Sequence, residues 1–302
     1  MNQEAIEQQP SAISQRSVRL SDLKEMSKPG ITLMVVLTAG LGFLLAGGEK
    51  FSFVLLVATL VGTGLVSAGA SVLNQVLERE PDALMHRTAN RPLPAGRMDP
   101  DTALLFGVTV AVMGLAELAL AVNLMTALLG AAALTGYVFV YTPLKRITSL
   151  ATIVGAVPGA IPPMMGWSAV RGQLDPAAWV LFGILFFWQM PHFLAIAWLC
   201  REDYARGGFP MLTVSDTTGS RTARQMILYG VALIPVSLLP SVLGLMGTLY
   251  FVCALILGLV YLGFSFGFAR TRSTSGARWL MLASILYLPA ILLIMLLDRL
   301  VA

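Results

Sequence analysis

The chain has 302 residues, 57% of them hydrophobic and 12% charged, with a formal net charge of +4 at pH 7. A soluble domain carries about 25% charged residues, so this composition excludes a single water-facing globule and calls for a bilayer as solvent. The basic residues are scattered over short connections and leave no footprint for nucleic acid, and Cys200 and Cys253 supply neither a disulfide framework nor a CxxC metal site.

Residues 1–28 are rich in Gln, Ser and Glu and lack the apolar core of a cleavable signal peptide. They read as a cytoplasmic N-terminal segment, largely disordered, with 21–28 helical at the membrane interface. From 29 to 302 the chain reads as one membrane domain. Apolar segments follow at 31–47, 51–73, 103–121, 125–141, 148–167, 177–199, 226–246, 248–269 and 278–297. Each approaches the roughly 20 apolar residues that a spanning helix needs. The expected fold class is therefore all-α: a polytopic membrane protein, a bundle of about nine transmembrane helices.

Lysine and arginine orient the bundle. With the N-terminus in the cytoplasm, 17 of the 20 basic residues fall on the cytoplasmic side, and only Lys50, Arg171 and Arg299 lie opposite. The long polar loops, 74–102 and 200–225, are both cytoplasmic on this reading, and chemistry is expected there.

The first loop opens on Asn74, Glu78 and Asp82, spaced i, i+4, i+8. On a helix each such step rotates by only about 40°, so the three share a face, while Glu80 points elsewhere unless Pro81 distorts the turn, as a proline there is expected to do. An acidic face at the end of a membrane helix is costly unless it binds something positive. A solvated helix end paired with Arg79 and Arg87 would need no ligand. The run that follows, Met85-His86-Arg87-Thr88 to Arg91-Pro92, argues for one: carboxylates suited to Mg²⁺, then arginines suited to phosphate, are the composition of a diphosphate site.

The stretch from Asn74 to Leu93 resembles the first acidic motif of the intramembrane aromatic prenyltransferase superfamily, and its Met-x-Arg-Thr-x-x-Arg-Pro continuation resembles the protohaem IX farnesyltransferase (haem O synthase) branch. Three further stretches agree: Tyr141-Thr-Pro-Leu-Lys145-Arg146; Trp188-Gln189-Met-Pro191-His192-Phe193; and Arg201-Glu202-Asp203-Tyr204 with Gly208-Phe209-Pro210-Met211-Leu212. The resemblance covers roughly 20–297. Two departures stand out. Glu78 and Glu80 occupy positions where the family usually has aspartate, and Gly207 stands where a full second acidic motif would place an acid.

The resemblance implies transfer of a farnesyl group from farnesyl diphosphate to a vinyl group of haem B, giving haem O. It implies Mg²⁺ as cofactor, held by Glu78, Asp82 and Asp203, with Asn74 and His192 in the catalytic set. The substrate-binding residues it implies are Arg87, Arg91, Tyr141, Lys145, Arg146, Trp188, Gln189 and Tyr204. His192, a lone histidine inside an apolar segment, reads as a buried structural group or as a haem-facing one. Glu117 reads as an interface or interhelical hydrogen-bonding group. The implied setting is the cell inner membrane, multi-pass, with the active site on the cytoplasmic side. Haem A synthase or terminal oxidase assembly is the implied partner. The rival readings are a prenyltransferase with an aromatic, quinone-precursor or chlorin acceptor and, more distantly, a secondary transporter.

Overall fold

The computed structural model describes residues 19–47 and 51–301; the expected disorder of the N-terminal segment, apart from Arg19–Lys28, and the placement of Lys50 lie outside the described residues. Among those residues the regular structure is helical throughout, and nine helices are long and apolar enough to cross a membrane. In chain order the spans are Pro29–Gly47, Phe53–Leu77, Pro100–Val122, Leu124–Leu144, Ala151–Arg171, Pro176–Leu199, Ser220–Val242, Thr248–Thr271 and Thr274–Leu300. They are numbered one to nine below. The chain is a multi-pass membrane protein.

The spans correct the expected boundaries where polar chemistry extends a helix past its apolar core. Span three starts at Pro100 because Asp99 caps it, its Oδ2 accepting from the N–H groups of Asp101 and Thr102 at 3.1 and 3.0 Å. Span seven begins at Ser220, six residues before the apolar run. Its start is held by Asp216, whose Oδ2 accepts from the Thr222 N–H at 2.8 Å and the Thr222 hydroxyl at 2.9 Å. Span two runs on to Leu77 and so carries Asn74 on its last turn.

Spans five and six form the axis. Span five packs against spans one, four and six, and span six packs against seven and nine, while two and three pair on one flank and seven, eight and nine on the other. Both axial helices carry interior proline: Pro158 and the Pro162-Pro163 pair flank the break at Ile161 in five, and Pro191 sits within the continuous helix of six. Spans one and five approach backbone to backbone. A Cβ on Gly166 would meet the Phe43 nitrogen at 2.6 Å, and one on Gly42 the Pro163 carbonyl carbon at 2.8 Å. The apolar residues left exposed, such as Leu105, Leu120, Val242 and Leu286, face outward as lipid-contacting groups do.

On the side where span two ends, the short helix Leu20–Met26 lies as a strap. The Gln75 amide donates to the Met26 carbonyl at 2.7 Å, and Arg97 reaches Glu25 at 2.7 Å and Asp22 at 3.4 Å. That clamp fixes the start of span one against the loop that follows span two.

Candidate active site

The expected shared face of Asn74, Glu78 and Asp82 holds, but on a broken helix. Span two stops at Leu77, Glu78 forms the joint (φ −98°, ψ 10°), and Arg79–Leu84 begins a new turn. The i to i+4 backbone bonds continue through the joint, with the Glu78 N–H on the Asn74 carbonyl at 2.9 Å and the Asp82 N–H on the Glu78 carbonyl at 2.8 Å. The side chains therefore keep their common direction. All three are buried, while Glu80 points outward.

Each acidic or amide group in this cluster has met a cation. Lys145 Nζ donates to both Glu78 oxygens, at 2.9 and 3.1 Å, and Arg91 Nη1 donates to Asp82 Oδ2 at 2.6 Å. Lys28 Nζ donates to Asn74 Oδ1 at 3.2 Å, and the Asn74 amide donates to the Thr142 hydroxyl at 3.0 Å. Two carboxylates thus face three cations, an excess of positive charge suited to an incoming polyanion. The charges register one another. Burial, then the proximity of Arg91 and Lys145, pulls the Lys28 ammonium down to about 7, against the opposing pull of Glu78 and Asp82. Burial also works against the Lys145 ammonium, but Tyr141 and Glu78 outweigh it and hold that group above the ordinary lysine range.

One buried oxygen is left over: Asp82 Oδ1 has no hydrogen-bond partner. An unsatisfied buried carboxylate oxygen is costly, and a cation beside it removes the cost. A hard divalent ion that takes one or two carboxylates and completes its shell with phosphate oxygens and water fits this donor set. The expected trio of metal ligands does not assemble, however. Among the described residues no three His, Cys, Asp or Glu side chains gather as a metal site. Asp203 stands in a second group because Arg206 pairs with it and the His86 N–H donates to it at 2.9 Å. Burial pushes the Asp203 carboxyl up, but these hydrogen bonds prevail and hold it below the usual carboxylate range.

The second group also contains Tyr204, with the Arg87 guanidinium 5.9 Å from its ring. Phe209 links the two groups: its ring lies 6.0 Å from that of Tyr204 and 4.9 Å from Lys145 Nζ. Tyr141 flanks the same ammonium at 5.5 Å.

A third group lies deeper, on span six. The Trp188 and His192 rings stack with centroids 5.3 Å apart. Trp188 Nε1 donates to the Ser284 carbonyl at 2.9 Å, and Tyr261 donates to the Trp188 carbonyl at 3.0 Å, so spans eight and nine hold this platform in place. His192 Nδ1 meets the Ser284 hydroxyl oxygen at 2.6 Å. Ser284 has a single hydroxyl hydrogen and donates it to the Met281 carbonyl at 2.5 Å. With that hydrogen on Met281, Nδ1 would carry the proton shared with Ser284 and Nε2 would keep a bare lone pair. No hydrogen bond engages Nε2 among the described residues. It can bind iron or accept a proton.

Two of the expected substrate-binding residues stand apart from these groups. Arg146 is exposed and joins no ion pair among the described residues, because the helix ends at Leu144 and the turn after Lys145 carries Arg146 to the outside. Gln189 is buried with its amide nitrogen on the Ala156 carbonyl at 2.8 Å, a tie between spans five and six. Lys28, Thr142, Phe209 and Ser284 were not singled out. Thr142 and Phe209 lie inside the quoted motifs, and Lys28 had a signal of its own, a cation at the head of span one on the same side as the acidic motif.

Comparison with known proteins places these groups in context. Residues 35–292 match the family model described as "UbiA prenyltransferase family". A protoheme IX farnesyltransferase of Solibacter usitatus is 47% identical, over 93% of this chain and 99% of that one. The protoheme IX farnesyltransferase of Myxococcus xanthus is 45% identical, over 92% and 95%. Among solved structures, a digeranylgeranylglyceryl phosphate synthase superposes with a TM-score of 0.78 at 15% identity, covering 92% of this chain and 98% of that one. A UbiA homologue from Archaeoglobus fulgidus bound to GPP and Mg²⁺ does so with a TM-score of 0.65 at 15% identity, over 91% and 99%. At these identities the structures speak for the fold alone.

Proposed function

This chain belongs to the UbiA prenyltransferase family, among the protohaem IX farnesyltransferases, and from that premise we propose that it transfers the farnesyl group of farnesyl diphosphate to a vinyl carbon of haem B, with water, to give haem O and diphosphate. The observation that carries the reading is the convergence of Lys28, Arg91 and Lys145 on Asn74, Asp82 and Glu78, with the Trp188–His192 platform deeper on span six.

The work divides by residue. Lys28, Arg91 and Lys145 receive the diphosphate and favour its departure with the electron pair of the breaking C–O bond. Glu78 and Asp82 would hold Mg²⁺ with it, and that ion would supply further neutralisation of the leaving group; Asp203 serves from the second group with Arg87 and Tyr204. Phe209 and Tyr141 shield the reacting carbon from bulk water. The haem vinyl carbon bonds to the farnesyl carbon, water adds to the resulting cation, and the proton lost from that water needs an acceptor. His192 Nε2 is free either to take that proton or to hold the haem by its iron. Haem O would pass to a haem A synthase or a terminal oxidase. The charge split supports an inner-membrane protein with this site on the cytoplasmic side.

The test is direct. Membranes with and without the protein are supplied with farnesyl diphosphate, haem B and Mg²⁺, and extracted haems are separated by chromatography. Haem O formed only with the protein and only with a divalent ion is the expected result. Prenylation of a different aromatic acceptor with haem B untouched overturns the acceptor assignment.

A further inference from the structure

At the end of the bundle opposite the acidic cluster, a cavity of about 210 Å³ opens between spans one, five, six, seven and nine. Its walls are apolar, with Leu45, Leu181 and Met295 among them, but two guanidinium groups, Arg171 and Arg299, line it as well. Arg171 is the last residue of span five and lies 5.8 Å from the Trp167 ring. Arg299, in the last turn of span nine, spends Nη1 on the Leu44 and Leu45 carbonyls at the end of span one. Its other N–H groups remain available.

Neither arginine has a carboxylate partner among the described residues. The acids beside them are already committed. Asp175 accepts from Trp167 Nε1 at 3.2 Å and from Gln173 at 2.9 Å. Asp298 accepts from the backbone N–H groups of Gly247 and Tyr250, at 2.5 and 3.0 Å, and so holds the start of span eight. Two guanidinium ions against an apolar wall, with no carboxylate in contact among the described residues, offer a site to an anion from elsewhere.

We propose that this cavity binds the anionic headgroup of a phospholipid from the leaflet on that side, the phosphate lying between Arg171 and Arg299. Three observations select that occupant. The volume is below the roughly 300–1,000 Å³ of small-molecule pockets, so it takes a headgroup and not a porphyrin. Leu245 on the cavity wall is exposed, with Pro240, Met246 and Met295 lining the cavity beside it, an apolar edge for acyl chains. The cavity is also no arm of the prenyl-transfer site: Ala177 on its wall and His192 are fifteen residues apart on span six, roughly 22 Å along the helix. A lipid held here ties five spans together at their ends and stabilises the folded bundle by linkage.

Protein delipidated in a neutral detergent is titrated with dioctanoyl phosphatidylglycerol, with dioctanoylglycerol lacking the phosphate, and with inorganic phosphate. Thermal melting and lipid adducts in native mass spectrometry are the readouts. Phosphatidylglycerol is expected to raise the melting temperature and leave a one-to-one adduct, and Arg171→Gln to weaken that adduct about tenfold. Arg299→Gln also unties the Leu44 and Leu45 carbonyls, so for that variant the adduct affinity of the folded fraction is compared, with the same loss expected. Equal stabilisation by dioctanoylglycerol or by inorganic phosphate overturns the proposal, as does unchanged phosphatidylglycerol affinity in Arg171→Gln.

Discussion

The two oxygens of Asp82 differ in their surroundings, one bound to Arg91 and the other buried without a donor. Asp82→Asn keeps the shape and removes the charge, so on the proposed role the diphosphate and its metal would lose a ligand worth several kcal/mol in the transition state. Turnover is expected to fall by at least about a hundredfold while the protein still elutes as a folded monodisperse species; haem O yield per milligram checks it, and near-normal activity sinks the metal assignment. His192 invites a finer test, since its free Nε2 depends on Ser284. Removing the hydroxyl in Ser284→Ala releases Nδ1 and lets the tautomers mix, so haem affinity should fall severalfold and His192→Ala should lower it further, with farnesyl diphosphate binding nearly unchanged. Haem titration of both variants reads this, and wild-type affinity in a folded His192→Ala protein removes the iron-holding role. At this scale the sequence was legible for residue types and not for partners. The acids and arginines stood out by local spacing, but Lys145 meets Glu78 across 67 positions and Ser284 meets His192 across 92, separations that no periodicity encodes.

Whole helices were easier to read, because a bilayer rewards a long apolar run wherever it lies in the chain. Their ends were not, since polar caps set them. Asp216 shows the effect. Burial raises its carboxyl, but the Thr222 N–H and hydroxyl, with Thr218, prevail and hold it below the ordinary carboxylate value. A depressed folded-state pKa contributes stability above the unfolded value near 3.9, lost as pH falls through the folded one. Asp216→Asn should therefore lower the melting temperature at pH 7, and the gap from wild type should close on acidification below about pH 4; a gap that persists at low pH contradicts the capping role. Glycine packing gives the other element-scale test. Gly166→Val pushes a branched side chain into the span-one backbone near Phe43 and is expected to destabilise the bundle by about 1–3 kcal/mol, seen as earlier unfolding in a detergent melt.

Taken whole, the molecule is polarised, with the three cations of the acidic cluster and the long loops at one end and the two arginines of the lipid cavity at the other. In the proposed orientation the first end faces the cytoplasm. Cysteines introduced at Asp99 and Ser215, with Cys200 and Cys253 replaced, should resist an impermeant thiol reagent in intact cells and react once the membrane is opened. Labelling of both from outside inverts the orientation and moves the chemistry to the other side.

In the most apolar 18-residue stretch of span five 67% of the residues are buried, against 22% in span three, and span five is the least apolar of the nine spans among the described residues. Lipid alone gives such a helix little reason to stay. During synthesis it is made after spans one to four and before span six, so its first shelter is the face of span one around Gly42. The order of birth along the chain thus matches the order of need: the receiving surface exists before the helix that requires it. Shortening span one would leave span five stranded at the moment of its insertion, and the cell would meet that defect as a protein that is degraded rather than one that is slow.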